Sequence, residues 1–309
     1  MTSSKYTFAL FAALAILFSM TFGTVAAQDE EDGEAARTIV LGDISDDPAK
    51  KIERMQPLAD FLAENLGDFG IEVGEVRIAP DLETMTEWIA NGEVDLYFDS
   101  VFPATIVINE TGAQPLLASW KDNVGEYHTV FFAPTSSGLE SIDDLQGELV
   151  AYDEPSSTSG FLLPTAYLIN NDLVPVEKTG VRPTVDDDEV GYIFSGDDEN
   201  TIQWVFSGRV AAGALDNIAF SEIPEDVREQ LTIIAETEPV PRSVVVAQPE
   251  MDEALQDAII ALLVELDETE SGLEILTTFK TSRFDELPGD PDEIFEGILE
   301  LVALVEEQQ

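Results

Sequence analysis

Cysteine is absent from this 309-residue chain. Disulfides, thiolate metal sites and a cysteine-linked lipid anchor are therefore excluded. Histidine occurs once, at His128, too few for a zinc site built from histidines and cysteines. A triad hydrolase would also need a G-x-S-x-G elbow, and none is present. Neither a Walker-type loop nor a dinucleotide fingerprint occurs. No cofactor and no metal are expected. Positive charge is scarce too: 14 basic residues face 63 acidic ones, a formal net charge of −49. Such a field repels nucleic acid and anionic headgroups, so neither is an expected partner.

The acidic residues are dispersed among apolar ones rather than gathered in a tail. A dispersed acidic coat suits a medium where salt screens charge within a few ångströms. The folded state is expected to lose stability as salt is dialysed away. A melting temperature indifferent to salt would count against a saline habitat.

Long apolar runs are also rare. One spans Tyr6 to Gly23, after Lys5 and before Val25, Ala26 and Ala27, and the acidic segment from Gln28 to Asp32 follows. This order fits a secretory signal, residues 1–27, cleaved after Ala27. The run also approaches the length that spans a bilayer, so an uncleaved anchor stays open. Export to the periplasm or the exterior is expected, with membrane association if the segment is retained. Residues 28–37 read as a disordered acidic linker.

From Thr38 onward, short β-rich runs alternate with helical periodicity. Strands are predicted at 38–41, 73–78, 94–98, 149–152, 192–194 and 210–215. Helices are predicted to start at Asp47-Pro48 and to cover 82–90, 159–169 and 200–206. The alternation implies parallel sheets with helices on both faces, an α/β class. Tyr127–Phe132 and Ser243–Ala247 are candidate crossovers, and the remainder is helical over 251–276 and 292–305.

The segment Asp153-Glu154-Pro155-Ser156-Ser157-Thr158-Ser159-Gly160-Phe161-Leu162-Leu163-Pro164 resembles the DPxSTSGYLxP motif of phosphate/phosphite/phosphonate ABC-transporter substrate-binding proteins. Gln56-Pro57-Leu58, Gly92-Glu93-Val94-Asp95-Leu96, Phe194-Ser195-Gly196 and Gly208-Arg209-Val210 follow the family order, over roughly residues 38–265. The resemblance implies a type II periplasmic-binding-protein fold with two α/β lobes joined by a two-segment hinge. The lobes are expected at 38–131 plus 246–309 and at 132–245. It also implies a monomeric receptor, not an enzyme, that binds a small oxyanion between the lobes and delivers it to a permease. A secreted carboxylate-dependent hydrolase, or a ligand sensor on the same fold, is the alternative.

Ser157, Thr158 and Ser159 sit between a strand and a helix, where three hydroxyls and free amides can receive an oxyanion. A plain N-cap is the competing reading, although one hydroxyl would suffice for that. Asp99, Asp198 and Asp216 fall at loop tips where the family pattern has neutral or histidine residues. Two carboxylates about 4 Å apart repel by ~4 kcal/mol at an effective dielectric of 20. Either the ligand is zwitterionic, with an ammonium on Asp99 or Asp198, or these acids belong to the coat. Tyr97 and His128 complete the candidate ligand set. Tyr97 equally fits the sheet core, and His128 equally fits a structural donor in a strand.

Overall fold

The computed structural model describes residues 37–180 and 183–308. The expected signal segment and residues 28–36 of the linker lie outside them, and Arg37 already opens the first strand. Among the described residues no helix is long and apolar enough to cross a membrane.

Two six-stranded sheets form the two α/β lobes. The first runs Arg283–Asp285, Gln114–Trp120, Ser243–Ala247, Leu96–Ser100, Arg37–Ile44, Ile71–Ala79. The second runs Leu231–Glu236, Thr129–Pro134, Ala212–Asp216, Leu149–Tyr152, Val190–Phe194, Pro175–Glu177. In the first, strand 37–44 lies parallel to 71–79 and 96–100, and 243–247 runs antiparallel beside 96–100. In the second, 149–152 lies parallel to 190–194 and 212–216, and 129–134 runs antiparallel beside 212–216. The same topology is thus used twice, with helical crossovers covering both faces. The inner strand Arg37–Ile44 is accordingly buried over five consecutive residues.

The chain changes sheet earlier than expected on the outward pass and sooner on the return. Thr129–Pro134 belongs to the second sheet and Ser243–Ala247 to the first. Neither is a crossover. Both are buried almost end to end, as central strands must be. The connections are instead a two-stranded ribbon, Glu126–Tyr127 against Val240–Pro241. Two predicted strands also start two residues later than expected: 94–98 becomes Leu96–Ser100, and 210–215 becomes Ala212–Asp216.

Helix Pro48–Asn65 is capped by Asp47 and buries Met55, Leu58, Ala59, Leu62 and Ala63. It lies against strand Ile71–Ala79 so closely that a Cβ on Gly74 would stand 2.2 Å from the carbonyl oxygen of Ala59. Only glycine fits there. The C-terminal helix Pro291–Glu306 packs on helix Val101–Thr111 of the first lobe and on helix Leu163–Asn170 of the second. Its Phe295, Ile298, Val302 and Val305 join an apolar cluster that also takes Val101 and Phe131, one from each lobe. This helix therefore straps both lobes along one side.

Candidate functional site

A cleft of about 890 Å³ opens between the sheets at the carboxyl ends of their parallel strands, the usual ligand position in open α/β sheets. Nearly every such strand hands over to an aspartate. Asp81, Asp197 and Asp216 cap the next helix by accepting backbone N–H bonds from Thr84 (2.8 Å), Asn200 (2.6 Å), and both Ile218 (2.8 Å) and Ala219 (2.9 Å). Asp43 and Asp99 accept from the amides of Ile44 (2.7 Å) and Ser100 (2.6 Å). The acidic loop tips are thus spent largely on orphan amides at strand and helix ends.

The Ser157–Ser159 turn lies at the centre of the cleft lining. Residues Thr158–Leu162 wind a single π turn before helix Leu163–Asn170 begins. Asp153 folds back over this turn, and a Cβ on Gly160 would approach its Cβ to 2.4 Å. Glycine is what lets the loop close on the helix start. Ser157 Oγ accepts from Gly160 N–H at 2.9 Å, so the capping role is real, and the hydroxyl also lies beside the Asp153 carboxyl. Thr158 is buried and crosses the cleft. Its hydroxyl donates to Ser100 Oγ at 3.0 Å and accepts from Phe102 N–H at 3.1 Å. It therefore caps helix Val101–Thr111 of the opposite lobe, whose Ser100 makes no side-chain cap of its own. Replacing Thr158 by valine is expected to cost the closed arrangement about 1 kcal/mol. The check is small-angle scattering, where the ligand-free variant should show a larger radius of gyration. An unchanged radius would remove the latch role.

Of the other expected residues, Asp99, Asp198 and Asp216 line the cleft, whereas Tyr97 and His128 do not. Tyr97 is fully buried and donates from its hydroxyl to Asp99 Oδ2 at 2.6 Å. His128 points away because neighbouring Tyr127 takes the inward direction, and side chains alternate along extended backbone. Its Nε2 lies 3.2 Å from Glu236 Oε1. The three tryptophans are half-buried rather than core, each with one face under a guanidinium: Arg77 on Trp88, Arg283 on Trp120, Arg209 on Trp204.

The residues that sequence reasoning missed are mostly cations. Lys51, Arg54, Lys121, Arg242 and Lys280 all line this one cleft, five of only 14 basic residues in the chain. Lys51, Arg54 and Met55 share a helix face by their three- and four-residue spacing. Lys51 is paired with Asp43. Arg242, 7% exposed, lies with its guanidinium 5.0 Å from the Tyr127 ring centre, and its Nη1 is 3.6 Å from Asp216 Oδ1. That nitrogen is buried and has no hydrogen-bond partner among the described residues. The one available signal was scarcity. In so acidic a chain the position of every cation is informative, and Arg242 sits one residue before the candidate crossover 243–247.

Carboxylates facing this cation set hold protons more tightly than usual. Desolvation, then the charge of Asp43, raises Asp99 to about 6. Desolvation, then Asp198, raises Asp153 to about 7. Asp198, at the cleft mouth, is raised to about 6 by desolvation and then Asp216, while Lys121 and Arg242 oppose the rise. Burial chiefly raises Tyr127 to about 12, so its phenol stays a proton donor.

The sequence profile of the family described as "ABC transporter, phosphonate, periplasmic substrate-binding protein" matches residues 43–290. A phosphate-import protein, PhnD, of Mycolicibacterium smegmatis is 29% identical over 208 residues, 65% of this chain and 62% of that protein. The matched region thus spans less than two thirds of that relative. Among solved structures, XAC2383 from Xanthomonas citri, bound to chloride ion, superposes with a TM-score of 0.79 at 29% identity. The same protein bound to ATP gives 0.78 at 28%, and each comparison covers 88% of this chain and 98% of the other. PhnD1 from Prochlorococcus marinus, in complex with methylphosphonate, shares the fold at a TM-score of 0.63 and 19% identity, over 87% of this chain and 98% of that one.

Proposed function

This chain belongs to the family of periplasmic substrate-binding proteins of phosphonate ABC transporters, and we propose from that membership that it is an extracytoplasmic receptor for a small phosphate-like oxyanion. It binds stoichiometrically in the cleft between its lobes and presents the ligand to a membrane permease. It is not an enzyme in this reading, and cleavage after Ala27 would release it from the membrane.

The observation that carries the proposal is Arg242, whose buried Nη1 faces the cleft without a hydrogen-bonded partner among the described residues. Beyond its ion pair with Asp216, this guanidinium keeps an unfilled buried donor that an oxyanion would satisfy, and leaving buried donors unmade is costly. The Ser157 and Ser159 hydroxyls and the Tyr127 phenol supply neutral donors around the same space. Asp216 balances part of the Arg242 charge as an ion pair at 3.6 Å, but its Oδ1 already serves two backbone amides and makes no hydrogen bond to Nη1. Ligand closure then works about the 126–127/240–241 ribbon, from which Arg242 follows directly.

Thermal shift of the mature protein at pH 6 tests this, with phosphate, phosphite, methylphosphonate and sulfate as ligands. A bound oxyanion at 100 times its dissociation constant should add ~2.7 kcal/mol of stability. The double variant Ser157→Ala/Ser159→Ala should lose that gain, while its ligand-free stability falls only by the lost Gly160 cap, about 1 kcal/mol. If no oxyanion stabilises the protein, or if the double variant keeps the full response, the assignment is wrong.

A further inference from the structure

We propose that the ligand is a two-headed anion, with a phosphate or phosphonate head on Arg242 and the 157–159 hydroxyls and a second anionic group on Arg54 and Lys280. The inference rests on the oxyanion reading above and concerns the wall of the cleft that a lone tetrahedral anion leaves unused.

The first support is size. Clefts of about 300–1,000 Å³ accommodate drug-sized organic ligands, and this one measures about 890 Å³. The volume does not come from lobes standing apart, because Thr158 already bridges them to Ser100 and Phe102. An inorganic oxyanion at the 157–159 turn would fill only its inner part.

The second support is charge. Arg54 and Lys280 line the cleft from the first lobe, on two helices, Pro48–Asn65 and Glu270–Phe279, that pack together. Neither side chain has an ion pair or hydrogen bond among the described residues, in a chain with 63 acids to choose from. The acids on that wall are engaged elsewhere. Asp43 pairs with Lys51, Asp99 takes Tyr97 and Ser100, and Asp81 caps Thr84. Only Asp46, exposed at the rim, is free.

The third support is conformational. Lys280 ends its helix in the left-handed region, φ 65°, a position where glycine is the favoured residue. A long cation stands there despite its backbone cost. Next to Lys280 in the chain, Phe279 meets Phe98 edge to face at 5.2 Å, and both rings line the cleft, a surface suited to a carbon linker.

Calorimetric titration in one buffer, with phosphonoacetate against methylphosphonate, tests the proposal. Phosphonoacetate should bind the unmodified protein at least tenfold more tightly. Arg54→Gln and Lys280→Gly should each erase most of that ratio and leave methylphosphonate binding within twofold. Lys280→Gly relaxes the backbone, so its melting temperature should hold or rise. Equal affinities in the unmodified protein overturn the second subsite. So do variants that weaken both ligands alike, or a Lys280→Gly protein that merely melts earlier. Failure of both ligands to bind, by contrast, would strike the oxyanion reading itself.

Discussion

Arg242→Gln should weaken inorganic phosphate binding about 100-fold, equivalent to roughly 3 kcal/mol, within the range for removing one partner of a buried charged contact. The fold should survive the change. Asp216 loses its ion pair with Arg242 but keeps its two amide donors at 2.8 and 2.9 Å, which hold the carboxylate in place. What disappears is the only cation in the cleft that is both deeply buried and lacking a hydrogen bond among the described residues. Arg242→Lys should recover part of the affinity, since it restores charge without the planar fork. Calorimetry with paired melting curves separates the cases. Phosphate affinity within threefold of the original in a well-folded Arg242→Gln protein would remove this residue from the site.

Ligand affinity should also rise as pH falls from 8 to 5.5. Asp99 and Asp198 lose their protons at about 6 and Asp153 at about 7, so all three are charged at pH 8 and mostly neutral at the lower end. A like-charge pair about 8 Å apart repels by ~2 kcal/mol at an effective dielectric of 20. Neutralising one neighbour fully thus predicts roughly thirtyfold tighter binding. A monoanionic phosphonate ester is the right probe, because its own charge is constant over this range. Replacing Asp99, Asp153 and Asp198 together by asparagine should flatten the profile and hold the affinity at its acidic value. A flat profile in the unmodified protein would contradict the prediction.

Stability follows the same protons. Folded carboxyls raised above their ordinary value hold protons that the unfolded chain releases. The stability they contribute is present below about pH 4 and is lost as pH rises towards about 7. Asp81, Asp144 and Glu189 are held low by hydrogen bonds, to Thr84, to Glu140 and Ser141, and to Lys178, and act in the opposite sense below their ordinary range. The melting temperature should therefore be higher near pH 5 than at pH 8.

The sequence discloses the architecture well, because buried strands and amphipathic helices announce themselves by period. Thr38–Leu41, Leu82–Ala90 and Leu149–Tyr152 sit within or match the observed elements. The connections were harder. A central antiparallel strand such as Ser243–Ala247 is an apolar run with no local sign of which sheet it joins. In the site, the hydroxyl turn was legible from its run of three, but the partition among them was not. Thr158's bond to Ser100 joins residues 58 apart. The acidic loop tips looked like ligand contacts or surface coat, and their main use is a third one, accepting backbone amides at strand ends. Tyr97 and His128 failed for want of a direction. A side chain's face along a strand depends on register, which neighbouring residues do not encode. Lys51, Arg54 and Lys280 converge only once two distant helices pack.

The threading of the first sheet has a consequence for assembly during synthesis. Every strand of the second lobe lies between Pro134's own strand and Glu236, one uninterrupted stretch that can complete itself once translated. The first lobe cannot, for Leu96–Ser100 and Gln114–Trp120 have no bond to each other until Ser243–Ala247 slots between them. The middle of the polypeptide holds a full set of neighbouring strands, whereas the first lobe has to wait for 243–247, made after that middle, to join 96–100 to 114–120.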